Sequence, residues 1–74
     1  MKPYSSIIND PGIMLGKPVI KGTRITVELI LKKLAEGMSA QELVLAYPQL
    51  SEGDIYECLR YASDTIANEE IIMS

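Results

Sequence analysis

Gly16-Lys17-Pro18-Val19-Ile20-Lys21-Gly22-Thr23-Arg24-Ile25-Thr26-Val27-Glu28 is the stretch that decides the fold, because a turn, a short apolar strand, a second turn and a helix start follow one another within it. Pro18 fixes φ and has no N–H to donate. Val19 and Ile20 suit a pleated, half-buried segment, and Gly22 supplies the positive φ that a sharp redirection needs. Thr26 then reads as a helix N-cap. Lys17, Lys21 and Arg24 lie inside the same stretch, so the strongest fold signal and the best site signal coincide.

Downstream of it, three helix starts share one grammar: an apolar residue, a hydroxyl cap, and another apolar residue four places after the cap. They are Ile25-Thr26 with Ile30, Met38-Ser39 with Leu43, and Leu50-Ser51 with Ile55. Each is a hydrophobic staple; Ser39 with Glu42 adds a capping box, and Ser51 with Asp54 offers a similar acidic third position. Helix one is predicted over Val27 to Glu36, with Val27, Ile30, Leu31 and Leu34 on one face, a Glu28–Lys32 pair on another and a stop at Gly37. Helix two runs from Ala40 to Tyr47, with Leu43, Val44 and Tyr47 inward, and Pro48 ends it. Helix three begins after Ser51, reaches Asn68 or beyond, and presents Ile55, Leu59, Ala62 and Ile66. The short corner Tyr47-Pro48-Gln49-Leu50-Ser51 sets helices two and three at a steep angle, as in a helix-turn-helix.

Upstream, Tyr4, Ile7 and Ile8 read as an arm or short strand, ended by the turn Asn9-Asp10-Pro11-Gly12. Ile13 to Leu15 and Val19 to Ile20 are expected to form a small hairpin around Gly16-Lys17, with Pro18 confining its strand to an edge. The expected fold is therefore mainly α: a three-helix, homeodomain-like helix-turn-helix bundle with an N-terminal β-arm or hairpin. As one domain over 1–74, it divides into an arm and hairpin (1–25), a helical core (26–68) and a C-terminal tail (69–74).

At 74 residues, folding hides only about 60% of the unfolded chain's surface, so stability without a partner or a second copy is marginal. The composition, 47% hydrophobic and 23% charged with no Phe or Trp, is that of a globular domain with a small aliphatic core. One cysteine, Cys58, excludes an internal disulfide, and the lack of histidine leaves a zinc site poorly supplied. No segment approaches the ~18 apolar residues of a membrane span, nor does the N-terminus pair a basic flank with a long apolar run, so a reduced, cytoplasmic protein is expected. Charge is unevenly divided. Residues 1–33 carry six basic and two acidic groups, residues 34–74 one basic and eight acidic, which suggests two different contact surfaces.

Asp10-Pro11-Gly12, the run from Gly16 to Ile25, Gly37-Met38-Ser39, Tyr47-Pro48-Gln49-Leu50 and Tyr61-Ala62 together resemble the bacterial family called domain of unknown function 433. The resemblance spans nearly the whole chain and centres on Gly-x-Pro-x-Ile-x-Gly-Thr-Arg, with Lys21, Gly22, Thr23 and Arg24 matching the signature position by position; Leu15 stands where a second glycine or another small residue is common. What the resemblance implies is a small homeodomain-like helix-turn-helix protein, acting as the antitoxin of a toxin–antitoxin pair whose toxin resembles a PIN-domain ribonuclease. It carries over no catalytic residue.

Read for chemistry, the chain offers a non-catalytic binding module without a cofactor. Gly16 to Thr23 has a superficial likeness to a phosphate loop, but the order is Lys-Gly-Thr rather than Gly-Lys-Thr. Nucleophilic and acid–base catalysis lack their parts, and Glu52, Asp54 and Glu57 crowd a helix start where the dipole favours them. Residues 51–70 hold six acidic groups and only Arg60, a poor balance for a helix facing phosphates. DNA contact, if made, falls to Lys17, Lys21, Arg24, Lys32 and Lys33, with a second copy or a partner adding charge. Against a PIN-like toxin, whose carboxylates gather around a divalent metal, the planar fork of Arg24 or Arg60 is the expected ligand, while Ile71, Ile72 and Met73 supply apolar area. The competing reading of Arg24 is an internal pair with Glu28. The leading expectation is thus toxin neutralisation with autoregulatory DNA binding, as a homodimer or hetero-oligomer; the alternative is a stand-alone dimeric DNA-binding regulator.

Overall fold

The computed structural model describes residues 4–73, with side chains as far as residue 68. It is mainly helical: β1 (Ile7–Ile8) and β2 (Val19–Ile20) precede α1 (Val27–Ala35), α2 (Ala40–Ala46) and α3 (Glu52–Met73).

The two strands form an antiparallel ribbon with Ile7 opposite Ile20 and Ile8 opposite Val19. This corrects the expected hairpin of Ile13–Leu15 with Val19–Ile20. The turn at Asp10 to Ile13 folds the chain back earlier: the Asp10 side chain accepts from the Gly12 amide at 2.8 Å, and the Asp10 carbonyl accepts from the Ile13 amide at 2.8 Å. That reversal lays residues 7–8 along β2 and turns residues 14–16 into a left-handed turn, with φ of 49° at Met14, 59° at Leu15 and 83° at Gly16. The Asn9 side chain closes the loop on the Gly16 carbonyl at 3.1 Å.

Nor does β2 leave its second edge bare, since Val19 bridges Thr26, the Ile20 amide donates to the Ile25 carbonyl at 2.9 Å, and the Val27 amide donates to the Pro18 carbonyl at 2.9 Å. Pro18 lacks a donor but keeps its carbonyl, which is the group used here. The reversal between these segments is built by Gly22, at φ 82°, and by Thr23, whose hydroxyl donates to the Ile20 carbonyl at 2.8 Å and accepts from the Ile25 amide at 3.0 Å.

Each helix start has the expected cap. The Thr26 hydroxyl accepts from the Leu29 amide at 3.0 Å. Ser39 and Glu42 exchange two bonds of 3.1 and 2.9 Å, and Ser51 and Asp54 do the same at 3.2 and 3.0 Å. Two orphan amides are thus satisfied at each reciprocal pair. At the end of α1, Gly37 (φ 105°) and Met38 return their amides to the carbonyls of Leu34 and Lys33, at 3.0 and 3.1 Å, the 5→2 and 6→1 bonds of a Schellman stop.

The core gathers one or two side chains from each element: Ile7, Ile20, Ile25, Val27, Ile30, Leu43, Leu50, Ile55 and Cys58. Among the described side chains of α3, Ile55 and Cys58 are fully buried, whereas Leu59 and Ile66, on the apolar stripe read from the sequence, are 43% and 56% exposed.

Candidate functional site

The turn that carries Arg24 is held from within, and the guanidinium is not. Thr23 ties both flanks of the turn together, leaving the next residue exposed at its end. The pair with Glu28 does not form. Glu28 accepts instead from Lys17 at 3.0 Å, which also replaces the expected Glu28–Lys32 pair, because the loop before β2 brings the Lys17 ammonium onto the first turn of α1. Among the described residues Arg24 has no acidic partner. It borders an open depression with Ile13, Thr23, Ile25, Leu29 and Gln49.

The remaining cations fall into two groups. Lys17 and Lys33 are taken up by carboxylates, Lys33 by Glu36 at 3.7 Å. Lys21, in the Arg24 turn, and Lys32, in the last turn of α1, are exposed and have no acidic partner among the described residues. Arg60 is placed differently: its guanidinium lies over the Tyr4 ring, 4.9 Å from the centroid. The side chains of Ile71, Ile72 and Met73 lie outside the described residues, although the α3 backbone continues through them.

The acids at the start of α3 do structural work. Asp54 caps Ser51. Glu57 receives the Ser5 hydroxyl at 2.9 Å and the Ser6 amide at 3.2 Å, so it clamps the N-terminal arm on the helix. Burial pushes the Glu57 pKa up, but the bonds from Ser5 and Ser6 outweigh it and hold the carboxyl below its ordinary value. The arm is fixed a second time by Tyr4, whose hydroxyl donates to Asp64 and whose ring meets that of Tyr61 at 5.2 Å between centroids. The bond to Asp64 raises the Tyr4 pKa, with desolvation and the Asp64 charge acting in the same direction. Cys58 is fully buried, and burial, reinforced by the charges of Asp54 and Glu57, pushes its thiol up to about 12. A thiol so placed stays protonated and is a poor nucleophile.

Two apolar surface features go beyond the sequence reading, which noted Leu15 only as a departure from the family pattern. Leu15 projects from the left-handed turn with 94% of its surface exposed, beside the 40% exposed Met14. Leucine in a position where a small residue is common was the available signal, masked by reading Leu15 as part of a strand. The second is a groove between α1 and α3, walled by Pro18, Val27, Leu31, Tyr61, Ala62 and Ile66. Among the described residues no helix is long and apolar enough to cross a membrane.

No curated protein and no solved structure matches this chain. Residues 7–62 match a family described as protein of unknown function (DUF433), and these residues include the ribbon, the Lys21 to Arg24 turn, α1, α2 and the packed part of α3. On that match, which covers most of its length, the chain belongs to the DUF433 family.

Proposed function

We propose that this chain is an antitoxin that binds and neutralises a PIN-like ribonuclease, with Arg24 as the side chain presented to the toxin's metal-binding carboxylates. The observation that carries the reading is the state of Arg24: exposed at the end of a turn braced by Thr23, without an acidic partner among the described residues, and beside an open depression. On a braced turn the guanidinium presents its planar fork for bidentate pairing with carboxylates, and the pairing would occupy the groups that hold the metal. Leu15 supports the same face. It leaves the loop that also sends Ile13 to the Arg24 depression, and it supplies an exposed apolar side chain of the kind that anchors interfaces. The corner between α2 and α3 supports a helix-turn-helix layout, and autoregulatory DNA binding belongs to the same proposal.

The test is co-expression with the product of the neighbouring reading frame, assayed for ribonuclease activity, comparing wild type, Arg24→Lys and Arg24→Ala. Truncating one partner of a buried, hydrogen-bonded charge pair costs about 2–5 kcal/mol, about thirtyfold or more in affinity. Arg24→Ala therefore abolishes neutralisation at limiting antitoxin while its melting temperature stays near wild type, and Arg24→Lys, which keeps the charge and loses the fork, falls between. Neutralisation by Arg24→Ala at wild-type level refutes the assignment.

Lys21, Arg24 and Lys32, the cations without acidic partners among the described residues, favour a second reading as a stand-alone dimeric DNA-binding regulator. Three phosphate contacts per chain, about six per dimer, give a salt slope of about −5.4 in log K against log salt. A slope of that size without any protein partner supports this reading over the first.

A further inference from the structure

We infer that the Arg24 depression takes a two-part ligand from a protein partner: a carboxylate, paired with the Arg24 guanidinium and with Gln49 beside it, and a neighbouring aliphatic side chain, covered by Ile13, Ile25 and Leu29. The inference rests on the proposed role of Arg24 and names what that residue would meet, an acidic residue flanked by leucine-like side chains.

The lining residues come from separate parts of the fold, and each part is fixed by a bond of its own. The turn bearing Gly22, Thr23 and Arg24 is closed by the Thr23 amide on the Ile20 carbonyl at 3.0 Å. Gln49 stands in the corner between α2 and α3, which the Leu50 amide closes on the Tyr47 carbonyl at 2.9 Å. Ile13 is tied to the Asp10 carbonyl at 2.8 Å, and the Leu29 amide to the Thr26 cap at 3.0 Å. Walls braced in this way lose little further freedom when a ligand arrives. The depression holds about 550 Å³, within the range of about 300–1,000 Å³ found for small-ligand sites, a scale that a few neighbouring side chains match.

The lining decides the chemistry. Arg24 is its one charged member and no carboxylate borders it. Among the described residues Arg24 has no acidic partner and the Gln49 side chain has no hydrogen-bond partner. The guanidinium gives a carboxylate two parallel N–H bonds, and the Gln49 amide adds a neutral donor. Ile13, Ile25 and Leu29 gain only by covering apolar surface. A nucleic acid is the poorer fit. It offers those three residues no aliphatic group, and the lining holds no aromatic ring on which an unpaired base would stack. An acid next to a leucine uses every wall.

The experiment is a titration of the isotope-labelled full chain, read by amide chemical shifts, with the N-acetylated, C-amidated peptide Leu-Asp-Leu. Leu-Asn-Leu and Ala-Asp-Ala, capped alike, are the controls, and hexathymidylate is the nucleic-acid probe. Leu-Asp-Leu is expected to move the resonances of Gly22, Arg24, Leu29 and the Gln49 side-chain amide along one saturable curve, with each control peptide at least about tenfold weaker. Gln49→Glu, which sets a carboxylate in the depression, is expected to weaken Leu-Asp-Leu on the order of tenfold while its melting temperature stays at wild type, because Gln49 is exposed. Overturning results are the absence of a saturable shift, a control peptide that binds equally well, hexathymidylate binding more tightly at these resonances, or Gln49→Glu binding as wild type does. The two readings fail separately. Full neutralisation by Arg24→Ala refutes the toxin assignment and leaves the peptide result standing, whereas neutralisation that needs Arg24 without peptide binding refutes the two-part ligand alone.

Discussion

Replacing Leu15 by glycine is expected to stabilise the fold, although it deletes a large apolar side chain. The reason lies in the backbone. Leu15 sits at φ 59°, ψ 30°, where an L-residue with a Cβ bears about 1–2 kcal/mol of steric penalty. Its side chain is 94% exposed, so removing it forfeits almost no burial. Glycine returns about 0.4–1 kcal/mol of this gain through the greater freedom of the unfolded chain, leaving a net stabilisation of ~0.8 kcal/mol. For a domain this small that corresponds to a rise of roughly 3–6 °C in melting temperature. The control is Gly22→Ala. A Cβ there would meet nothing within 4 Å, yet φ is +82°, so only the backbone penalty acts and the melting temperature falls. Calorimetry on the two variants, at one protein concentration because association would shift both, gives shifts of opposite sign. A Leu15→Gly variant that melts below wild type refutes the reasoning, because Leu15 would then be holding contacts in the folded state.

Two further outcomes follow from the titratable groups. Cys58, fully buried with its thiol pushed up to about 12, should resist a maleimide at pH 8 in the native protein and react within minutes once urea unfolds it; fast native labelling contradicts the packing. The folded-state pKa of Glu57 is depressed, a net effect of opposing burial and the bonds from Ser5 and Ser6, and that of Glu42 is depressed by the Ser39 backbone and hydroxyl. A carboxylate with a lowered folded pKa contributes stability that is present above its unfolded value, about 4.3, and is lost as pH falls through the folded value. Melting temperature should therefore decline below about pH 4.5, and Glu57→Gln should flatten the decline; an identical acid profile for that variant refutes the role of the arm clamp.

The helical part of the fold was legible in the sequence because its determinants are local. Thr26, Ser39 and Ser51 each act within one helical turn, and their bonds to Leu29, Glu42 and Asp54 involve residues three places on. The strand pairing was not legible, because it depends on a competition between two segments for one edge. Ile13–Leu15 and Ile7–Ile8 are both apolar, and nothing in their composition says which lies beside Val19–Ile20. The choice is made by the Asp10–Gly12 turn, which reverses the chain before residue 13. The same non-local step decided the site. Once the loop brings Lys17 to Glu28, the internal pair foreseen for Arg24 loses its acid.

That displacement links the fold to the proposed chemistry. Glu28 stands four residues after Arg24 and is the acid the sequence offers it as an internal partner. Lys17 reaches Glu28 from the loop that Asn9 closes on Gly16. The left-handed turn, unfavourable at Met14 and Leu15, therefore has two consequences: it exposes Leu15, and it delivers the lysine that keeps Glu28 from Arg24. Strain of this kind persists where the surroundings over-determine it and clusters at sites of recognition. On this argument Lys17 is a positioning residue for Arg24. Relieving the strain at Leu15 leaves that relation intact, because glycine accepts the same turn, whereas removing the Lys17 charge releases Glu28 to compete for the guanidinium.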